Sequence, residues 1–130
     1  MFVKTLSEVL KTPDHVIGAA FESRRLLLAR DGLGYSLHDT IVKAGTSQTL
    51  HYKNHLESNY CIEGEGEVEC VSTGEIWPIG PGSLYVLDQH DPHIIRAFTN
   101  LRLICIFTPA LTGQEVHDAD GSYASPGSAS

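Results

Sequence analysis

His51, Glu57, Tyr85 and His93 are the side chains of this sequence whose types and spacing could do chemistry: imidazoles, a carboxylate and a phenol framed by glycines. Gly45 stands before His51 with five residues between them, Glu57 follows, and Gly64 comes after six more. Further along, Gly74, Gly82, Tyr85 and Gln89 make a second glycine-framed set, and Asp88-Gln89-His90-Asp91-Pro92-His93 adds more nitrogen and oxygen donors. Glu57, Tyr85 and His93 together offer two oxygens and one nitrogen, a set with open positions that suits Fe(II) or another first-row divalent ion. Lys53 lies two residues past His51, but its ammonium has donors only and does not ligate a cation. Each residue taken alone has a duller reading. Tyr85 could be a core aromatic in an apolar strand, His93 a turn residue after Pro92, and Glu57 a solvated loop carboxylate. Their joint placement favours a site.

The elements that must position these side chains read as short strands. Leu6 to Lys11 is the one clear helical stretch, with Thr5 or Ser7 near its cap and Pro13 past its end. After it the pattern predicts strands over Arg24 to Arg30, Tyr35 to Val42, Tyr60 to Ile62, Glu67 to Val71, Ile76 to Ile79, Ser83 to Leu87 and Leu101 to Phe107. Turns such as Asp31-Gly32-Leu33-Gly34 and Gly80-Pro81-Gly82 separate them. Many short strands with glycine-rich turns imply an all-β sandwich or barrel.

Length and charge exclude several function classes. A chain of 130 residues favours one domain, here residues 1–124, with 125–130 expected to be a flexible C-terminal tail. Sixteen acidic residues against nine basic ones give a net charge of −7, which argues against a nucleic-acid partner or an anionic membrane. The longest apolar runs, such as Leu26-Leu27-Leu28-Ala29, are too short to span a bilayer. The N-terminus lacks the apolar stretch of a signal peptide, so the expected location is the cytoplasm. Cys61, Cys70 and Cys105 have no CxxC spacing and read as reduced thiols.

The two glycine-framed sets resemble the paired motifs of the cupins, double-stranded β-helix (jelly-roll-like) barrels that hold a metal between two sheets. Two departures matter: Lys53 stands where the second histidine of the first motif belongs, and Tyr85 where the histidine of the second belongs. Within that superfamily the chain resembles the ectoine synthases over about Val3 to Tyr123. The similarity rests on Ser23-Arg24-Arg25-Leu26-Leu27-Leu28, on His51-Tyr52-Lys53-Asn54-His55-Leu56-Glu57, on Tyr60-Cys61-Ile62-Glu63-Gly64-Glu65-Gly66-Glu67 and on Leu111-Thr112-Gly113-Gln114-Glu115-Val116-His117-Asp118. The resemblance implies a homodimeric, iron-dependent lyase that forms the compatible solute ectoine, used against osmotic stress, from N-γ-acetyl-L-2,4-diaminobutyrate. It implies Glu57, Tyr85 and His93 as metal ligands. It also implies a pocket drawn from Ser23, Arg25, Thr40, Tyr52, His55, Cys105, Phe107, Glu115 and His117. Position 21, often Trp in that family, is Phe21 here, which keeps an aromatic wall and removes an indole N–H.

For such a reaction the free amine must lose a proton and attack an amide carbon, a weak electrophile. A metal supplies Lewis acidity to the amide oxygen. Glu115 or His55 is the expected proton acceptor, with Tyr52 beside them, and Arg25 has the geometry to hold an α-carboxylate. Glu115 and His117 share parity and would face one side of an extended segment, as would Cys105 and Phe107 on the last strand. Two other classes compete: a cupin oxygenase, which would consume oxygen, and a non-catalytic cupin that binds a small solute.

Overall fold

Alternation of apolar and polar side chains, more than any long apolar run, decides what folds here. The computed structural model describes residues 1–115, 117–119 and 121–124, so the expected tail at 125–130 lies outside the described residues. Helix α1 spans Leu6–Val9. Thr5 caps it: its Oγ1 accepts from the Glu8 N–H, and the Glu8 carboxylate accepts from the Thr5 N–H, both at 3.3 Å. The helix stops at Val9, short of the expected Lys11.

Among the described residues ten strands follow: β1 His15–Ile17, β2 Phe21–Leu27, β3 Ser36–Val42, β4 Ser47–Leu50, β5 Leu56–Glu63, β6 Gly66–Cys70, β7 Ile76–Ile79, β8 Leu84–Leu87, β9 His93–Ala97 and β10 Leu101–Thr108. The strand expected at Arg24 to Arg30 starts and ends earlier. Asp31 turns its carboxylate onto the Leu28 N–H at 2.8 Å, and Ala29–Asp31 closes as a 3-10 turn against Gly32. Strands β1, β4 and β9 were not expected, because Ser47-Gln48-Thr49 is polar and Pro92 disguises the start of β9.

Two antiparallel sheets face each other, in the orders β1-β2-β3-β10-β5-β8 and β4-β9-β6-β7. Strand β10 shows the logic: Leu101, Leu103, Cys105 and Phe107 point inward and are buried, while Arg102, Ile104, Ile106 and Thr108 point out. Leu28, Leu50, Val68, Ile95 and Leu111 meet these from the other elements in one apolar cluster.

Register sets the functional wall. Arg25 on β2 pairs with His38 on β3, His38 with Cys105 on β10, Cys105 with Asn59 on β5, and Asn59 with Tyr85 on β8. Five strands therefore present one continuous row of polar side chains, spaced about 4.8 Å per strand. The adjoining rows are Ser23–Thr40–Leu103–Cys61 and Ser36–Phe107–Glu57–Leu87. On the opposite face of the same strands Asp39 accepts from Arg24 and Arg102, each at 2.7 Å, and so ties β2, β3 and β10 from outside.

Gly64 ends β5 with φ +92°, and a Cβ there would lie 2.0 Å from the Asn100 carbonyl oxygen. Only glycine lets the β5–β6 turn pack against the start of β10.

Candidate active site

A cavity of ≈ 50 Å³ for water-sized groups lies between the sheets, against the ~10–15 Å³ that one water needs. The six-stranded sheet supplies Ser23, Thr40, Glu57, Tyr85, Cys105 and Phe107 to its wall. His38 and Asn59 join them from β3 and β5. Gln48, Leu50 and Ile95 close the far side, and Phe21, Tyr52, His117 and Tyr123 close the mouth.

The mouth is covered by residues that follow β10, and the cover is pinned. The Ala29 N–H donates to the Leu111 carbonyl at 2.7 Å, and the His51 N–H donates to Gly121 at 3.1 Å. The Lys53 N–H donates to Ser122 Oγ at 2.9 Å, and Asn54 Nδ2 donates to the Tyr123 carbonyl at 2.8 Å. The Tyr123 ring stacks on Tyr52 at 5.1 Å and on His117 at 4.4 Å, while Tyr52 Oη lies 2.8 Å from His117 Nε2. Burial first, and the Arg25 guanidinium second, push the His117 imidazole down to about 4, so it is neutral at neutral pH.

Glu57 sits at the centre of the electrostatics. Burial pushes its carboxyl up to about 8, with the nearby Asn59 amide opposing. Burial and then Glu57 in turn raise Tyr52, Tyr85 and Cys105 well above their ordinary values. Four acidic groups thus crowd one space, and no cationic side chain pairs with Glu57 among the described residues. A bound cation would reverse each of these shifts. His93 lines an adjoining cavity that shares Tyr85 with the first. Its Nδ1 donates to the Asp91 carbonyl at 2.9 Å, which leaves the Nε2 lone pair free, the arrangement usual for a ligating histidine. The donor set therefore fits a first-row divalent ion. No cluster of three or more His, Cys, Asp or Glu is gathered among the described residues. The Glu57–Tyr85–His93 set contains two such residues and a phenol.

Four residues expected at the site do not line the main cavity. His93 lies one cavity away. Arg25 is buried next to Ser23 and donates through Nη1 to the Gly113 carbonyl at 3.1 Å, with no carboxylate paired to it among the described residues. His55 is buried behind Phe107 and Tyr123, each about 6.1 Å between ring centroids, with neither ring nitrogen bonded. Glu115 spends both carboxylate oxygens on the N–H groups of Thr112 and Gly113, at 2.7 and 2.9 Å. Burial would raise its pKa, yet these backbone bonds prevail and hold its carboxyl below the usual range. The segment around Glu115 is a turn and not an extended strand, so Glu115 and His117 part company: one caps the turn, the other faces the cavity. His51, the histidine kept in the first motif, is also absent from the wall.

His38, Asn59 and Tyr123 were not singled out from the sequence. For the first two a signal existed. His38 stands two residues before Thr40, and Asn59 two residues after Glu57, the period that places strand side chains on one face. Tyr123 gave no such signal, since no strand carries it.

The comparisons with known proteins now bear on a site already described. The family described as "Ectoine synthase" matches residues 1–127. The chain belongs to the ectoine synthase family. It is 54% identical over 123 residues to the L-ectoine synthase of Halalkalibacterium halodurans, covering 95% of each chain. It is 52% identical over 127 residues to that of Halomonas elongata, covering 95% of this chain and 92% of the relative. A crystal structure of ectoine synthase from P. lautus superposes with a TM-score of 0.88 at 53% identity, covering 93% of this chain and 87% of that one. An RmlC-like cupin from Shewanella frigidimarina, with a TM-score of 0.63 at 22% identity over 74% of this chain and 82% of that one, shares the fold. The ectoine synthase fold here is thus an all-β cupin.

Proposed function

We propose that this chain, as an ectoine synthase, closes N-γ-acetyl-L-2,4-diaminobutyrate into the cyclic amidine ectoine with loss of water, a carbon–oxygen lyase reaction. The observation that carries the reading is the polar row across the wall. It sets a buried, acid-free Arg25 at one end and Tyr85, beside Glu57, at the other. A substrate with a carboxylate at one end and an amide at the other matches that polarity, and Arg suits the carboxylate. Cys105 and Phe107 form the less polar wall for the acetyl methyl.

Glu57, Tyr85 and His93 would hold Fe(II) or a related ion. When bound, such an ion supplies Lewis acidity at the amide oxygen. The protein's own groups do the rest. The α-ammonium gives up two protons, one before and one as the carbon–nitrogen bond forms, and both leave with the amide oxygen as water. The Tyr52–His117 pair is the acceptor that faces the cavity: neutral His117 takes a proton through the Tyr52 hydroxyl, 2.8 Å away. Glu115, its oxygens occupied by backbone N–H groups, fixes the bend that carries the cover, and His55 packs behind the aromatic wall. Enclosure by Tyr123 and Phe107 holds the flexible substrate in its ring-like pose.

The working unit is a homodimer. Tyr60, Leu84, Val86 and Ile106 expose apolar surface on the outer side of β5, β8 and β10, and β8 is a free sheet edge. No helix is long and apolar enough to cross a membrane among the described residues, and three free thiols suit the reducing cytoplasm.

An anaerobic NMR assay comparing metal-free with Fe(II)-loaded protein tests the reading. Iron-dependent ectoine without oxygen supports it; oxygen uptake coupled to turnover would favour an oxygenase; absence of product would leave a solute-binding cupin.

A further inference from the structure

Asn59 is a buried polar residue that neither the fold nor the reaction steps above account for. It is 1% exposed and lines the main cavity, and its Nδ2, close to the Glu57 carboxyl, meets no partner at hydrogen-bonding geometry among the described residues. A buried amide without a partner destabilises a fold, and asparagine is a poor choice for a central strand on propensity alone. Strand β5 lies between β10 and β8, where an apolar or β-branched residue would serve the barrel better. Something that occupies the cavity must satisfy the group.

Position narrows what that is. Asn59 stands between Cys105 and Tyr85 in the row, and it follows Glu57 by two residues on the same face. A neutral amide there can donate without forming the salt bridge with Glu57 that a lysine or arginine would form.

We propose that Asn59 is a substrate-contacting residue whose Nδ2–H donates a hydrogen bond to the carbonyl oxygen of the acylamide, holding that oxygen beside Tyr85 and Glu57. The inference rests on the cyclisation described above. The oxygen gains negative charge as the amine attacks, so a donor fixed in a buried site stabilises the transition state more than the ground state. Asn59 keeps its proton throughout, and no bond to it forms or breaks. The same contact makes the site selective for an acylated diamino acid over the free one, which has no oxygen to receive the bond.

The rival is that Asn59 acts only through Glu57, whose ionised form its nearby amide also favours. The test uses the full chain with Asn59→Leu, which removes the donor at similar volume, and Asn59→Thr, which keeps a donor on a strand-favouring residue. Four readings are taken: kcat and KM with the N-γ-acetyl substrate, Fe(II) bound per chain without substrate, the thermal midpoint, and inhibition by the N-γ-ethyl amine, which has no carbonyl oxygen. For Asn59→Leu the expectation is a loss of about 100-fold in kcat/KM, mostly in kcat. Iron content and affinity for the N-ethyl amine stay as in the parent, and the midpoint is equal or higher. Asn59→Thr regains about tenfold of that loss, and it carries the test if the leucine variant does not fold. Unchanged turnover overturns the proposal. So does loss of iron, which would reduce Asn59 to a support for Glu57, or an equal loss of N-ethyl amine affinity, which would make its role general packing. If the parent itself forms no ectoine, the cyclisation reading fails; calorimetry of the N-acetyl compound against the N-ethyl amine, in parent and variant, still decides whether Asn59 binds the carbonyl.

Discussion

Replacing His38 with Gln should make the protein less sensitive to acid. His38 is 2% exposed, its Nδ1 lies 3.5 Å from Ser23 Oγ, and its Nε2 has no partner. The groups packed around it offer an imidazolium nothing: Arg25 on β2 is cationic and Cys105 on β10 is a neutral thiol. Burial, and then Arg25, push its pKa down to about 3. In the unfolded chain the same imidazole takes a proton near its ordinary value of about 6.5. Between those two values the unfolded state binds more protons, so stability is complete above about pH 6.5 and falls as pH falls towards about 3. At pH 5 the loss from this residue is about 2 kcal/mol, rising to at most about 5 kcal/mol at pH 3 and below. Urea unfolding of parent and His38→Gln at pH 7.5 and pH 5 isolates the effect, because the other buried histidines titrate in both proteins. The variant should be closer to the parent in stability at pH 5 than at pH 7.5, by about 2 kcal/mol. Equal acid losses in the two proteins would refute the account of His38 as a buried, neutral imidazole.

Other perturbations separate the site from its frame. Glu57→Ala should cut iron per chain at least tenfold after gel filtration, about the least that losing a ligand costs, and normal iron content would remove Glu57 from the ligand set. Asp39→Ala should cost about 3–5 kcal/mol in urea unfolding, because it strands the buried Arg24 guanidinium without its carboxylate. A loss below about 1 kcal/mol would mean the pair behaves as a surface ion pair. Gly121→Ala puts a Cβ 2.5 Å from the Thr49 carbonyl oxygen at φ +71°, so it should lift the cover off β4. The expected outcome is faster proteolysis near the C-terminus and a higher KM with iron content unchanged; parent-like proteolysis would contradict the pinned cover.

How much of this was legible in the sequence follows from the range of each interaction. Strand β10 could be read directly, because Leu101 to Phe107 is a short apolar-rich run on which Cys105 and Phe107 share parity. Strand β4 could not, since its polar residues acquire strand geometry only by pairing with β9. Glu57 and Tyr85 stood out through glycine spacing. Their row partners His38 and Asn59 share parity with Thr40 and Glu57, but parity alone does not say which residues meet across strands, because register between β3, β10 and β5 is set by tertiary packing. Glu115 shows the reverse case: its parity with His117 is real, but local backbone N–H groups capture its carboxylate first.

The wall of the cavity is costly to build, and the opposite face of the same strands explains how it persists. His38 and Asn59 carry buried polar atoms with no partner, each a penalty of about 1–3 kcal/mol while the cavity holds nothing that bonds them. They cannot hold their strands in place. Asp39 can: it sits one residue past His38, faces outward, and binds Arg24 on one neighbouring strand and Arg102 on the other. Because side chains alternate, every polar group on the inner row is backed by a residue on the outer one. On β2, β3 and β10 this outer ion-paired cluster holds the strands, so that the inner row can be chosen for what it binds. The division makes opposite demands on the two faces: substitutions at Asp39 should act on stability, whereas apolar substitution at Asn59 should spare stability and remove function.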